Sequence, residues 1–99
     1  MQQISPAALK AKLTAGEDIQ LIDVREISEH EIFHIGGELI PLPDLMASIG
    51  RIAVDRPVVI YCEKGIRSRI AIQRLENKFK FNNLINLKGG MEAWREEMI

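Results

Sequence analysis

A single cysteine, Cys62, is the most reactive side chain in this 99-residue sequence. It directly follows residues 57–61 (PVVIY), an apolar and β-branched run that is typical of a buried strand. The next residues, EKGIRSR, lead into a stretch with helical periodicity. In an open α/β sheet, ligands bind beyond the carboxyl ends of the strands. The sequence therefore places a thiol where a binding or catalytic site is expected.

The residues after Cys62 have the character of an anion-binding loop. The start of a helix offers backbone N–H groups without helical partners, and a loop wrapped around the sulfur aims them inward and favours thiolate over thiol. Gly65 permits the tight curve. Lys64, Arg67 and Arg69 gather where positive charge opposes the helix dipole, a conflict that a bound anion would offset. These residues indicate a nucleophile, while a small buried cysteine among solvated cations remains the alternative.

The elements that must position this loop alternate between strand-like and helix-like patterns. Ser5 is a good N-cap for a helix that starts at Pro6 and ends at Gly16. Ser28 and Glu31 have capping-box spacing and predict a second helix start. Further helices are predicted at residues 43–49, 66–79 and 91–98, and strands at residues 20–24, 39–40, 57–61 and 84–87.

This alternation predicts an α/β fold, with a small, mostly parallel sheet covered by helices on both faces. In the longest predicted helix, Ile70, Ala71, Leu75 and Phe79 are expected to face the sheet. No linker or repeat divides the chain, so residues 1–99 are expected to form one domain.

Composition excludes several classes of function. Thirteen Lys and Arg against fourteen Asp and Glu give a formal charge of −1, which argues against a nucleic-acid binder. The apolar runs are too short to span a membrane, and no signal-peptide core follows Met1. One cysteine permits no internal disulfide and no multi-cysteine zinc site, so a reducing cytoplasm is the expected location.

Four segments, in order, resemble the signatures of rhodanese-like sulfurtransferases. Residues 62–68 (CEKGIRS) resemble the active-site loop C-x-x-G-x-R-S. Residues 21–26 (LIDVRE), 34–37 (HIGG) and 87–94 (LKGGMEAW) resemble the other three. Phe33 replaces the family's usual Gly, and residues 37–41 are one position short. Residues 35–42 look closest to rhodanese domains appended to adenylyltransferases that activate ubiquitin-like sulfur carriers.

The resemblance implies a three-layer α/β/α rhodanese fold and a sulfurtransferase without metal or cofactor. Cys62 would take a sulfane sulfur as a persulfide from thiosulfate or a persulfide donor, and pass it to a nucleophilic acceptor such as a sulfur-carrier protein. Lys64 and Arg67 would attract an anionic donor, and Asp23 and Arg25 would hold the loops at the site by an ion pair or hydrogen bonds. The residues expected to bind substrate are Glu63, Lys64, Gly65, Ile66, Arg67 and Ser68.

Two other functions compete with sulfur transfer. One is a rhodanese-like module that docks a partner without turnover, for which Cys62 would be dispensable. The other is a cysteine phosphatase, with Asp23 as the acid. Related phosphatases and arsenate reductases place one more residue between the cysteine and the arginine than the four found here. The shorter loop makes a smaller cradle, better suited to sulfur than to phosphate.

Residues 30–34 (HEIFH) spell the H-E-x-x-H motif of zinc proteases. That motif needs both histidines on one helix face and a third ligand. The longer form of the motif expects a histidine where Ile40 stands, and the chain has only two histidines. We therefore interpret His30 as a surface or partly buried residue, and His34 as a hydrogen-bonding residue in the turn before Gly37.

Overall fold

The computed structural model describes residues 1–98, and within them five strands form one sheet in which every neighbouring pair runs parallel. The spatial order is β1-β5-β4-β2-β3, so the strand that precedes Cys62 is central, as the sequence predicts. The strands are β1 (Gln2–Ile4), β2 (Gln20–Asp23), β3 (Glu38–Leu39), β4 (Val58–Tyr61) and β5 (Leu84–Leu87).

Helices cover both faces of this sheet. In the described chain they are α1 (Pro6–Thr14), α2 (Ile27–Ile32), α3 (Ile66–Phe79) and α4 (Gly90–Glu97), with 3₁₀ turns at Leu42–Asp44 and Met46–Arg51. Because side chains alternate along a strand, each face of the sheet builds its own core. Leu9 of α1 and Trp94 of α4 pack on one face, and Ile72 and Leu75 of α3 pack on the other. The predicted three-layer α/β/α architecture is confirmed.

Local sequence signals explain several boundaries. The Ser5 hydroxyl accepts a hydrogen bond from the Ala8 N–H at 3.1 Å, which caps α1 as predicted. The predicted bounds of α3 and β5 agree with the structure. In both segments, strong apolar periodicity is bounded by residues that end regular structure, such as Gly65.

Other local predictions were wrong. Helix α2 is capped by Glu26, which forms a capping box with Glu29, so the helix starts one residue before Ser28. The helix predicted at residues 43–49 is instead a pair of 3₁₀ turns. Along α3, the residues buried against the sheet are Ser68, Ala71, Ile72 and Leu75.

The predicted inner face of α3 was therefore partly misplaced. Ile70 is only half-buried and Phe79 is 39% exposed, because the buried stripe passes through residues 68, 71, 72 and 75.

Strand β1 was not predicted. Its sequence, QQI, is short and mostly polar, so it carries no local strand signal. The segment is extended because it pairs with β5. No helix in residues 1–98 has the length and apolar character needed to cross a membrane.

The α3 core supplies a test of this packing. Leu75 is fully buried, whereas Gln73 lies exposed on the same helix. We expect Leu75→Ala to lower the free energy of unfolding by about 2–5 kcal/mol, because it leaves a cavity in the core. Urea denaturation measures the change. Gln73→Ala is the matched control and should stay within about 0.5 kcal/mol of the parent. Equal effects of the two substitutions would contradict this packing.

Candidate active site

Cys62 lies at the carboxyl end of β4, with only 1% of its surface exposed. Its Sγ accepts hydrogen bonds from the backbone N–H of Gly65 at 3.1 Å and of Ser68 at 3.3 Å. Gly65 makes this wrapping possible because its φ is 86°, in the left-handed region. A Cβ at this position would also lie 3.2 Å from the Gly89 nitrogen. The loop after β4 thus curls around the sulfur and points backbone donors at it.

A buried polar pair lies beneath the sulfur. The Ser68 Oγ is 3.3 Å from Cys62 Sγ, and its hydroxyl donates to Oδ1 of Asn86 on β5. Ser68 is fully buried and Asn86 is 1% exposed. Sequence reasoning missed Asn86. The available signal was an amide within the otherwise apolar run LINL, since a buried polar side chain needs a partner.

The amino end of α4 supports the opposite side of the loop. The N–H groups of Met91 and Glu92 donate to the carbonyls of Cys62 and Glu63, both at 2.9 Å. These are first-turn amides without partners inside their own helix. The contact requires glycine at position 90, because a Cβ on Gly90 would lie 2.3 Å from the Cys62 carbonyl oxygen.

Asp23 and Arg25 form a buried ion pair at the same edge of the sheet. The Arg25 Nη2 lies 2.9 Å from Asp23 Oδ2, and its Nη1 reaches Glu63 Oε1 at 3.2 Å. Nη2 also donates to the Phe33 carbonyl at 2.6 Å. Burial opposes the cation, but the hydrogen bond and charge of Asp23 outweigh it and raise the pKa of Arg25. One guanidinium thus ties together β2, the segment after α2 and the cysteine loop.

Arg67 is engaged by an acid that the sequence analysis did not select. Its Nη1 and Nη2 each lie 2.8 Å from a carboxylate oxygen of Glu29, a bidentate pair across the site. This hydrogen bonding lowers the pKa of Glu29 from 4.5 to about 2. The charge of Arg67 is therefore largely offset. Lys64 is exposed and has no acidic ion-pair partner within residues 1–98.

A cavity of about 320 Å³ opens above the cysteine and is lined by Cys62, Glu63, Lys64, Ile66 and Arg67. Five of the seven residues selected from the loop motif therefore share one space. Gly65 and Ser68 lie beneath it, where their backbone N–H groups and the Ser68 hydroxyl contact Cys62 Sγ. Further cavities of about 320 and 340 Å³ lie near the amino ends of β4 and β5, away from the thiol.

The histidines of the HEIFH segment have other partners. His30 Nδ1 lies 2.9 Å from Asp23 Oδ2, and His34 Nδ1 accepts the Gly36 N–H at 2.9 Å. Helix α2 ends at Ile32, so His34 lies beyond the helix that the zinc motif requires. Among residues 1–98, no group of three or more His, Cys, Asp or Glu side chains is placed to hold a metal ion.

The close approach of α4 to the cysteine loop can be tested at Gly90. Gly90 and Gly16 both have a positive φ, but a Cβ on Gly16 meets no atom within 4 Å. Both alanine substitutions introduce backbone strain, and only Gly90→Ala adds a clash with the loop. We expect Gly90→Ala to reduce the free energy of unfolding by about 1–3 kcal/mol more than Gly16→Ala does, as urea denaturation will measure. An equal loss in the two variants would show that the contact is not tight.

The Glu29–Arg67 pair predicts a pH-dependent stability. Because the folded state lowers the pKa of Glu29, its contribution is complete above pH 4.5 and is lost as the pH falls towards about 2. Both side chains are about one-third exposed, so solvent screening limits the contribution to about 1 kcal/mol. We expect the parent to be more stable than Glu29→Gln by this amount at neutral pH, with the difference shrinking in acid.

Urea denaturation over a pH series measures that difference. Glu38→Gln, which breaks an exposed pair with Arg51, is the control and should cost less at neutral pH. A penalty for Glu29→Gln that stays constant down to the acid limit would show that ionisation of Glu29 is not its cause.

Comparison with known proteins finds relatives that agree with one another in family. Residues 5–97 match the Rhodanese-like domain family. The "Probable adenylyltransferase/sulfurtransferase MoeZ" of Mycobacterium tuberculosis is 37% identical over 98 residues, which are 96% of this chain and 25% of that protein. This chain thus spans about a quarter of the length of MoeZ. The thiosulfate sulfurtransferase GlpE of Shewanella oneidensis is 33% identical over 86 residues, or 86% of this chain and 84% of GlpE.

The fold agrees with these matches. The crystal structure of a rhodanese-like domain protein from Staphylococcus aureus superimposes with a TM-score of 0.87 at 29% identity. The superposition covers 95% of this chain and 91% of that one. Sequence and structure lead to the same assignment: the chain belongs to the rhodanese-like domain family of sulfurtransferases.

Proposed function

We propose that this domain is a sulfurtransferase that carries a sulfane sulfur as a persulfide on Cys62. The observation that supports it best is the environment of Cys62 Sγ. Two backbone N–H groups donate to the sulfur at 3.1 and 3.3 Å, beneath a cavity of about 320 Å³. Such donors favour the thiolate, which is the nucleophile in sulfur chemistry. The cavity leaves room beside it for a second sulfur atom.

The proposed reaction has two steps. The Cys62 thiolate attacks the outer sulfur of thiosulfate, forming a new S–S bond while the S–S bond of thiosulfate breaks and sulfite leaves with the electron pair. An acceptor thiolate then attacks the outer sulfur of the persulfide. The persulfide S–S bond breaks and its electron pair returns to Cys62. The N–H groups of Gly65 and Ser68 stabilise the negative sulfur that departs in the second step.

The charges around the cavity assign different roles to the loop residues. Lys64, exposed at the rim, attracts an anionic donor. Arg67 contributes less than the motif suggests, because Glu29 offsets its charge. Glu63 is bound by Arg25 and Arg95, so it anchors the loop rather than contacting the donor.

The exposed apolar side chain of Ile66 supports a protein, rather than a small molecule alone, as the sulfur acceptor or donor. It lines the cavity and is 63% exposed, giving the mouth an apolar surface beside the cysteine. We propose a sulfur-carrier protein as this partner, because residues 35–42 resemble rhodanese domains appended to adenylyltransferases that activate such carriers. A lone reactive thiol also functions best in reducing surroundings, so we place the protein in the cytoplasm.

Phosphate-ester hydrolysis is a weaker alternative. A phosphatase uses its loop arginine to bind the phosphoryl oxygens, whereas Arg67 is held in a bidentate pair by Glu29. Asp23, the acid such a reaction would use, is fully buried against Arg25 and His30. Both groups would have to leave their present partners before they could act on a phosphate ester.

The persulfide step is tested by intact-protein mass spectrometry after incubation with thiosulfate. We expect the parent to gain one sulfur atom, because Cys62 is the only thiol in the sequence. Cys62→Ser should gain none, since a hydroxyl at this position is not ionised and forms no persulfide. Reduction with a small thiol should remove the added mass from the parent.

Other outcomes distinguish the alternatives. No gain of sulfur from thiosulfate or from the persulfide of a cysteine desulfurase would overturn the sulfurtransferase proposal. If Cys62→Ser then still bound its partner and supported its function, the domain would be a docking module. Release of phosphate from an aryl phosphate, dependent on Cys62, would instead identify a phosphatase.

A further inference from the structure

A chain of buried hydrogen bonds runs from Cys62 to the edge of the sheet. Cys62 Sγ contacts Ser68 Oγ at 3.3 Å, and the Ser68 hydroxyl donates to Asn86 Oδ1. The Asn86 Nδ2 in turn donates to Gln3 Oε1 at 3.3 Å. Gln3 and Asn86 are register partners on the neighbouring strands β1 and β5, so backbone pairing holds the two amides side by side.

The direction of these hydrogen bonds follows from the orientation of the Asn86 side-chain amide, whose Nδ2 faces Gln3 and whose Oδ1 faces Ser68. A hydroxyl has one hydrogen to donate, and an amide side chain has a carbonyl acceptor and an NH₂ donor. Because the Asn86 NH₂ is directed to Gln3, its carbonyl faces Ser68 and takes the hydroxyl hydrogen. The Ser68 oxygen then presents a lone pair to the sulfur. It can accept a hydrogen bond from a Cys62 S–H, but in this orientation it cannot donate to a thiolate.

Resting on the proposed role of Cys62, we propose that Asn86 is a positioning residue that holds the Ser68 hydroxyl as an acceptor for the Cys62 S–H. Opposite influences then act on the sulfur. The backbone N–H groups of Gly65 and Ser68 favour the thiolate, and the oriented hydroxyl favours the thiol. Asn86 thus makes Cys62 a weaker nucleophile by orienting the Ser68 hydroxyl, without itself contacting the sulfur.

The charged groups near the sulfur do not account for this effect. Arg67 on α3 and Glu63 and Lys64 on the loop line the cavity, and Arg25 reaches the loop through Glu63. None of them hydrogen-bonds to Asn86, whose side chain is buried and bonded to Ser68 and Gln3. Variants of Asn86 leave all four charges in place, so a change in thiol reactivity reports the hydroxyl.

The test is the rate of Cys62 alkylation by iodoacetamide in the full chain, measured across a pH series. Asn86→Ala frees the Ser68 hydroxyl to rotate and donate to the thiolate. We expect alkylation on the acidic side of the profile to become about three to ten times faster, the change in rate that one hydrogen bond corresponds to. The same substitution in a Ser68→Ala background should give no further change, because the responding hydroxyl is absent.

Two more variants make the test robust. Gln3→Ala removes only the anchor of the Asn86 amide from an exposed position, so it should shift the profile in the same direction by less. If Asn86→Ala fails to fold, the alkylation profiles of Gln3→Ala with and without Ser68→Ala are compared instead. Asn83→Ala is the matched control. Asn83 is a partly buried amide at the other end of β5 that bonds to the Ala53 and Arg56 carbonyls, and its loss should leave the profile unchanged.

An unchanged profile in both Asn86→Ala and Gln3→Ala would overturn the proposal. Equal acceleration with and without Ser68 would also overturn it, because the effect would then come from easier access to the sulfur. Alkylation needs no sulfur donor, so the result stands apart from the proposed function. If Cys62 takes up no sulfur but its alkylation still depends on Asn86 through Ser68, sulfur transfer is rejected and the role of Asn86 is retained.

Discussion

The buried ion pair of Arg25 with Asp23 is the interaction on which the sheet edge beside the candidate site depends. Arg25 is 2% exposed and bonds to Asp23 at the end of β2, to the Phe33 carbonyl and to Glu63 in the cysteine loop. Removing one partner of such a pair leaves a buried charge uncompensated, at a cost of about 3–5 kcal/mol. The interaction therefore couples the stability of the sheet edge to the position of the loop that follows Cys62.

Ion pairs within the protein also determine how much positive charge remains at the mouth of the site. Arg25, Arg67 and Arg95 each have an acidic partner, whereas Lys64 at the mouth has none within residues 1–98, so most of the guanidinium charge around the site is offset. The hydrogen bonds to Cys62 Sγ come instead from the backbone N–H groups of Gly65 and Ser68, which carry only partial charges and are fixed by the fold. Inward-facing backbone N–H groups can bind a small anion without a strongly basic surface around them.

The sequence predicts the fold well where a signal is local. The strand before Cys62, the glycine after it and the periodic helix that follows define the loop, and the bounds of α3 and β5 agree with the structure. What it misses depends on distant partners. Strand β1 is ordered by its pairing with β5, and the Glu29–Arg67 pair joins residues that no local pattern connects. The catalytic role of Cys62 stays a prediction, because geometry alone shows no turnover.

Strand β1 pairs residues at opposite ends of the sequence, with Gln2 opposite Ile85 and Gln3 opposite Asn86. It is a three-residue edge strand, the kind of element that opens locally at low free energy while the core stays folded. When β1 detaches, the Asn86 amide loses its anchor and the hydroxyl near Cys62 is free to turn. Fraying at the sheet edge is thereby linked to the chemistry of a sulfur two strands away, so the reactivity of Cys62 becomes a reporter of native-state opening.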